Sequence, residues 1–157
     1  MTTKEYLNQI EKITLMIDAK LEERYRLMSL ACRVTVPTDG ERVKSTSDPD
    51  KMANMVDKII ACENEIDSLV TELLAKKAQI VHLIDSIENP NLYNVLTLRY
   101  VQFLNDKEIA GKMNIAPSNV YKLQKSALIE FETRYGSKYL KPGDRRECET
   151  LKMGSNL

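Results

Sequence analysis

The sequence predicts an all-α protein in two parts, a long antiparallel helical hairpin followed by a compact trihelical unit, and three observations carry that prediction. An apolar heptad runs through residues 48–88, a stripe of 3-4 spacing precedes it, and beyond residue 88 the pattern breaks into short helices separated by cap and proline signals. Glycine and proline number only five each in 157 residues, so few positions interrupt a helix. A chain of this length buries about two-thirds of the surface it exposes when unfolded, and needs no disulfide or metal to hold it together.

Thr2 and Glu5 have the spacing of a capping box, in which the threonine hydroxyl accepts from an unpaired helical N–H and the glutamate closes back on the cap, so a helix starts near residue 3. Tyr6, Ile10, Ile13, Ile17, Leu27, Ala31 and Val34 then recur on one face, flanked by Leu7, Leu21 and Met28 and interrupted by Lys20 and Arg24. Residues 35–48, TVPTDGERVKSTSD, contain Pro37 and Gly40, follow neither period, and read as a mobile loop. Asp48 before Pro49 is a start signal, because the carboxylate caps an orphan N–H and proline has no donor to lose at the first helical position.

From there one heptad position reads Met52, Ile59, Ile66, Leu73, Ile80, Ile87, and its partner reads Met55, Cys62, Leu69, Lys76, Leu83. Forty residues at ~1.5 Å each would span ~60 Å, too long for a helix standing alone. Folding the two stripes against each other over residues 1–88 as a coiled-coil hairpin satisfies both, and self-association would bury the same surface. The sequence leaves both arrangements open.

Asn89-Pro90 repeats the cap-then-proline signal and opens a helix with Leu92, Val95, Leu96, Tyr100 and their neighbours on one broad face. Asn105 and Glu108 form a second capping box, residues 114–117 make a tight break, and a helix over about 117–131 turns Val120, Leu123, Ala127 and Leu128 inward. These boundaries define a domain over 89–132. Residues 133–157 lack a sustained apolar period and are expected to form an exposed, partly disordered tail.

The formal net charge of zero hides an asymmetry. Residues 1–88 carry 12 basic and 16 acidic side chains, whereas residues 89–157 carry 11 basic and 7 acidic, so a polyanion is expected to meet the C-terminal part. The N-terminal stretch lacks the apolar core of a secretory signal and no run approaches the length of a membrane span. Cys32, Cys62 and Cys148 are widely spaced and odd in number, which suits a reducing compartment. A cytoplasmic protein without a membrane partner is the expectation.

Catalytic chemistry has little to work with. His82 is the only histidine, so no two-imidazole metal site or histidine triad forms, and neither a GxxxxGK[ST] nor a GxGxxG loop is present. Cys62 falls in the seam as a small hydrophobe. The reading assigns no catalytic residue, no cofactor and no metal, and expects a protein that is not an enzyme.

One constellation does point to a ligand. In NDKEIAGKMNIAPSNVYKLQKSAL, Ile109 and Ala110 are inward on one helix, residues 113–116 turn tightly, and the next helix offers Ser118, Asn119, Tyr121, Lys122 and Lys125 on its outer face. That is the layout of a helix-turn-helix, whose second helix enters a major groove about 12 Å wide. Asn119 suits an adenine edge, and Lys122 and Lys125 suit phosphates.

The stretch NLYNVLTLRYVQFLNDKEIAGKMNIAPSNVYKLQKSAL, residues 91–128, resembles region 4 of bacterial sigma-70-type factors. Leu98-Arg99-Tyr100 matches the end of that family's leading helix, Glu108-Ile109-Ala110 its second, and Val120 its recognition-helix core. The resemblance implies recognition of promoter-type DNA, with Pro117, Ser118, Asn119, Tyr121, Lys122 and Lys125 on the DNA side. Ala116 stands where that family usually has a capping serine, and Pro117 and Ser118 where arginine is common, which weakens the phosphate grip. The match covers about a quarter of the chain. The hairpin-plus-domain layout is similar to small prophage transcriptional regulators of Gram-positive bacteria.

The expected function is therefore a phage- or prophage-encoded, sequence-specific regulator of transcription that binds double-stranded DNA. The acidic hairpin would serve homo-oligomerisation or contact with RNA polymerase. The alternative is an assembly protein, of the phage packaging adaptor type, that oligomerises through the coiled coil and grips DNA without reading it.

Overall fold

The structure, a computed structural model, describes residues 1–35 and 49–140. It is all-α. Six α-helices follow in order among the described residues: α1 Thr3–Leu7, α2 Gln9–Thr35, α3 Pro49–Asp85, α4 Pro90–Leu96, α5 Asp106–Met113 and α6 Pro117–Tyr135. A π-helical turn, Thr97–Val101, extends α4, and a 3-10 turn, Gly136–Lys138, follows α6. None of these helices is long and apolar enough to cross a membrane. The expected loop over 35–48 and the proposed cap at Asp48 fall almost wholly outside the described residues.

The local start signals act as their chemistry requires. Thr2 caps α1 with a full capping box: its hydroxyl accepts from the Glu5 N–H, and the Glu5 carboxylate accepts from the Thr2 N–H at 2.8 Å. Asn8, between α1 and α2, keeps helical geometry, its N–H donating to the Lys4 carbonyl at 2.9 Å and its carbonyl accepting from the Lys12 N–H at 3.0 Å. Asn89 caps α4 ahead of Pro90, and Asn105 and Glu108 cap α5 reciprocally.

The described residues group into two compact units, one made of Met1–Lys12 and the chain from Ala75 onward, the other of Ile13–Leu74. In the second unit the two helical segments run antiparallel, residue numbers rising along one as they fall along the other. Lys20 pairs with Glu65, Arg24 with Glu63 at 2.9 Å, and Leu27 and Leu30 line a shallow cleft with Met52 and Met55. Cys62 is buried between them and its thiol donates to the Lys20 carbonyl at 3.3 Å.

Lys20 and Arg24, which break the apolar stripe of α2, are thus met by carboxylates from α3. Glu65 first, and then Glu23, hold the Lys20 ammonium above the ordinary lysine value. Because these pairs remain largely solvated they fix register more than they add stability. His82 is exposed on α3, between the buried Leu83 and the half-buried Val81.

The first unit holds most of the core. Helix α6 packs on α1, α4 and α5, burying Val120, Ala127 and Phe131 completely, and Ile80, Ile84, Val95, Leu96 and Ile109 are buried in the same unit. The aromatic end of this core joins the two extremes of the chain. Tyr6 stacks on Tyr139 at 4.2 Å between ring centroids, Phe131 meets Tyr135 edge-on at 5.2 Å, and Phe131 lies 6.2 Å from Tyr6. Thr3, itself buried, donates to Glu132 at 2.7 Å and accepts from the Tyr139 hydroxyl at 3.2 Å. The Tyr135 hydroxyl meets Ser86, and Arg134 reaches the Ser86 carbonyl.

The expected tail from Thr133 is therefore corrected up to residue 140. Phe131, Tyr135 and Tyr139 recur at every fourth position and carry the chain past residue 133 onto the core, with the buried Gly136 in contact with the end of the Leu140 side chain. Residues 141–157, with Lys141, Arg145, Arg146 and Cys148, lie outside the described residues.

Two expectations follow. Phe131→Ala removes a fully buried ring from the aromatic cluster with Tyr6, Tyr135 and Tyr139 and is expected to cost about 3–5 kcal/mol in urea unfolding. Burial holds the Tyr100 phenol above its ordinary value, against a weaker opposing effect from Arg99, and burial does the same to Tyr6. Above about pH 10 the unfolded chain releases these protons and the folded one keeps them, so stability falls as pH rises through that point. Phenolate absorbance is expected to show Tyr6 and Tyr100 titrating late, their protons released together with loss of helical signal.

Candidate nucleic-acid interface

The polar face of α6 is set by what the helix buries. With Val120, Ala127 and Phe131 inward, the 3.6-residue period turns Ser118, Asn119, Tyr121 and Lys122 to solvent. Tyr121 is 64% exposed, and Pro117, Ser118, Asn119 and Lys122 are exposed as well. Lys125, one turn further on, is half-buried. All six residues singled out by sequence lie in the first half of one helix, five of them in water.

The turn before α6 fixes where that face begins. Asn114 closes α5 in the left-handed region, at φ 54°, where asparagine is tolerated, and the Ile115 N–H returns to the Ala110 carbonyl at 3.1 Å. Ala116 is extended at the N-cap and Pro117 takes the first helical position. With alanine at the cap, no side chain closes the N-terminus of α6, in contrast to α1, α4 and α5.

Charge is segregated along α6. Its first turn has no acidic residue, and its carboxylates, Glu130 and Glu132, lie towards the other end, where Glu130 binds Arg134 at 2.6 Å and Glu132 accepts from Thr3. Neither Lys122 nor Lys125 forms an ion pair among the described residues. The partial positive charge of the helix N-terminus and these two ammonium groups fall on the same half of the helix. This half of α6 therefore presents positive charge, and its asparagine and tyrosine present hydrogen-bonding groups to solvent.

Sequence reasoning did not find what holds this face in place. Asp106, at the start of α5, accepts from Arg99 at 3.2 Å and from the Gln124 amide at 3.0 Å, so one carboxylate ties the π turn and α6 together. Arg99 also donates to the Leu104 carbonyl at 3.3 Å. The chain reaches Asp106 through Phe103 at φ 58°, a conformation that costs a bulky residue free energy, and the Leu104 N–H there returns to the Leu98 carbonyl at 3.0 Å. Neither Phe103 nor Gln124 carries a local signal for these roles, since left-handed geometry favours glycine or asparagine and a glutamine mid-helix is ordinarily solvated.

A polar cleft of about 580 Å³ opens beside this network, lined by Asn91, Tyr93, Asn94, Thr97, Leu98, Gln102, Lys112 and Met113, with Lys112 donating to Gln102 at 3.3 Å.

Removing the Asp106 carboxylate tests the clamp. Asp106→Ala is expected to lower unfolding stability by about 1 kcal/mol, the scale of partly exposed charge-assisted bonds, while leaving helical content unchanged. Asp106→Asn, which keeps one acceptor oxygen, is expected to recover part of that loss.

Comparison with known proteins adds one relationship. No curated protein matches the chain, and no solved structure does. The model of one family matches residues 40–132, a span that holds α3, α4, α5 and most of α6. That span is more than half of the chain, which therefore belongs to the family described as "Protein of unknown function (DUF1492)".

Proposed function

We propose that this protein is a sequence-specific DNA-binding regulator of transcription, and that α5 and α6 act as a helix-turn-helix with α6 in the major groove. The observation that carries the reading is the first half of α6, where an exposed Asn119, Tyr121 and Lys122 share a face with a helix N-terminus that no side chain caps. In this role Asn119 and Tyr121 read base edges, Lys122 and Lys125 neutralise phosphates, and Pro117 and Ser118 bring the backbone close to the duplex. The likeness of residues 91–128 to sigma region 4 supports a promoter-type target and a prophage-type regulator that works beside RNA polymerase. In the same reading the clamp through Asp106 holds α6 at a constant angle to α5, which groove docking requires.

Selecting bound sites from a random duplex pool tests the reading. An enriched motif is the expected result, and uniform recovery of all sequences would instead favour a packaging-type protein that grips DNA without reading it. Lys122→Glu is expected to weaken duplex binding about tenfold or more and to flatten its salt dependence, with helical content unchanged. Asn119→Ala is expected to cost about 1–3 kcal/mol at one position of the motif and little elsewhere. Undiminished binding by Lys122→Glu would remove α6 as the reading helix.

A further inference from the structure

The unit Ile13–Leu74 is short of core. Its buried hydrophobic residues are Ile13, Ile17 and Cys62, and the rest of the seam, from Lys20 to Ala31 and from Met52 to Leu73, is only half-buried. Two helices side by side cover one stripe each and no more, and a stable unit ordinarily needs a second layer. Large apolar side chains meanwhile stand in water: Tyr25 is 75% exposed, Ile60 49%, Leu21 and Val56 44%, and Met28 42%.

These five lie on one side. At about 100° per residue, Leu21, Tyr25 and Met28 sit about 90° round α2 from its seam, and Val56 and Ile60 sit about 100° round α3 from its seam in the same rotational sense. Because the helices run in opposite directions, equal rotations bring both stripes to the same face of the pair. The ion pairs follow the same geometry, with Arg24 and Glu63 bordering this face and Lys20, Glu23 and Glu65 on the other. On ordinary residue areas the five residues expose about 500 Å² in all, the Tyr25 hydroxyl included, the greater part of the roughly 800 Å² each partner buries in a stable dimer.

We infer that this face, centred on Tyr25 and Ile60, is a self-association surface whose occupant is the same face of a second copy of the chain, completing a four-helix bundle about a twofold axis. A second copy fits because the patch is two antiparallel apolar stripes, which a twofold rotation maps onto themselves. Its border carries Arg24 and Glu63 along the seam and the exposed carboxylates of Asp18 and Asp67 at one end, so the twofold axis lies across the helices and keeps the acidic ends of the two copies apart. The inference does not rest on DNA binding.

Sedimentation velocity on the full chain over about 1–200 μM tests it, a range that brackets moderate dimer affinities. The expected result is a mass rising from 18.0 kDa towards twice that value. Tyr25→Glu combined with Ile60→Glu is expected to stay at the one-chain mass with unchanged helical content. Tyr25→Ser alone, at a side chain too exposed to affect folding, is expected to weaken association about tenfold. Met16→Glu, exposed on the opposite side, is expected to associate like the unmodified chain. A chain that remains at 18.0 kDa throughout, a dimer that persists undiminished in both Tyr25 variants, or equal loss in Met16→Glu overturns the inference.

Discussion

Complete burial of Val120, Ala127 and Phe131 is the constraint on which the rest of the first unit depends. These three side chains fix the rotation of α6 about its axis, and rotation decides everything the helix shows to solvent. A turn of one residue would move every outward side chain by about 100°, drawing Tyr121 towards the core and exposing Val120. The core of the unit and its polar face are therefore one property. Asp106 adds a polar tie to the apolar one by bonding Arg99 on one side and Gln124 on the other.

The two units use different physics. Around α6 the helices exclude water, aromatic rings meet in stacked and edge-on contacts, and the buried Thr3 has both a donor and an acceptor partner. Between residues 13 and 74 a half-buried seam is set by ion pairs in contact with solvent, and such pairs specify register at little gain in stability. A unit held this way leaves apolar surface over, and part of that surplus, from Leu21 to Met28 and at Val56 and Ile60, falls on the side away from the Lys20–Glu65 pair. The span matched by the DUF1492 family takes in material from both units, α3 as well as α4, α5 and most of α6.

Much of the fold was legible because its signals are local. The capping boxes at Thr2 and Asn105, the Asn89-Pro90 start, the Pro117 start and the heptad of α3 each depend on residues within a turn or two of one another. The outward residues of α6 were legible for the same reason, since helical period alone separates Val120 from Tyr121. The end of α6 was not. Composition after Thr133 looks like a solvated tail, and only the four-residue spacing of Phe131, Tyr135 and Tyr139 hints that the helix side continues.

By itself, then, the sequence determined where α1, α3, α4, α5 and α6 begin and that Ser118, Asn119, Tyr121 and Lys122 turn away from the core side of α6, because those follow from nearest-turn geometry. Tertiary structure alone decided that the N-terminal turn packs against the end of α6, through a Thr3–Glu132 bond spanning 129 residues and a Tyr6–Tyr139 stack. It also decided that Asp106 joins Arg99 to Gln124, and that the stripes of Tyr25 and Ile60 share one side. No local signal encodes such pairings. Their free energy exists only once distant segments meet, and the chain must first lose the entropy of closing the loops between them.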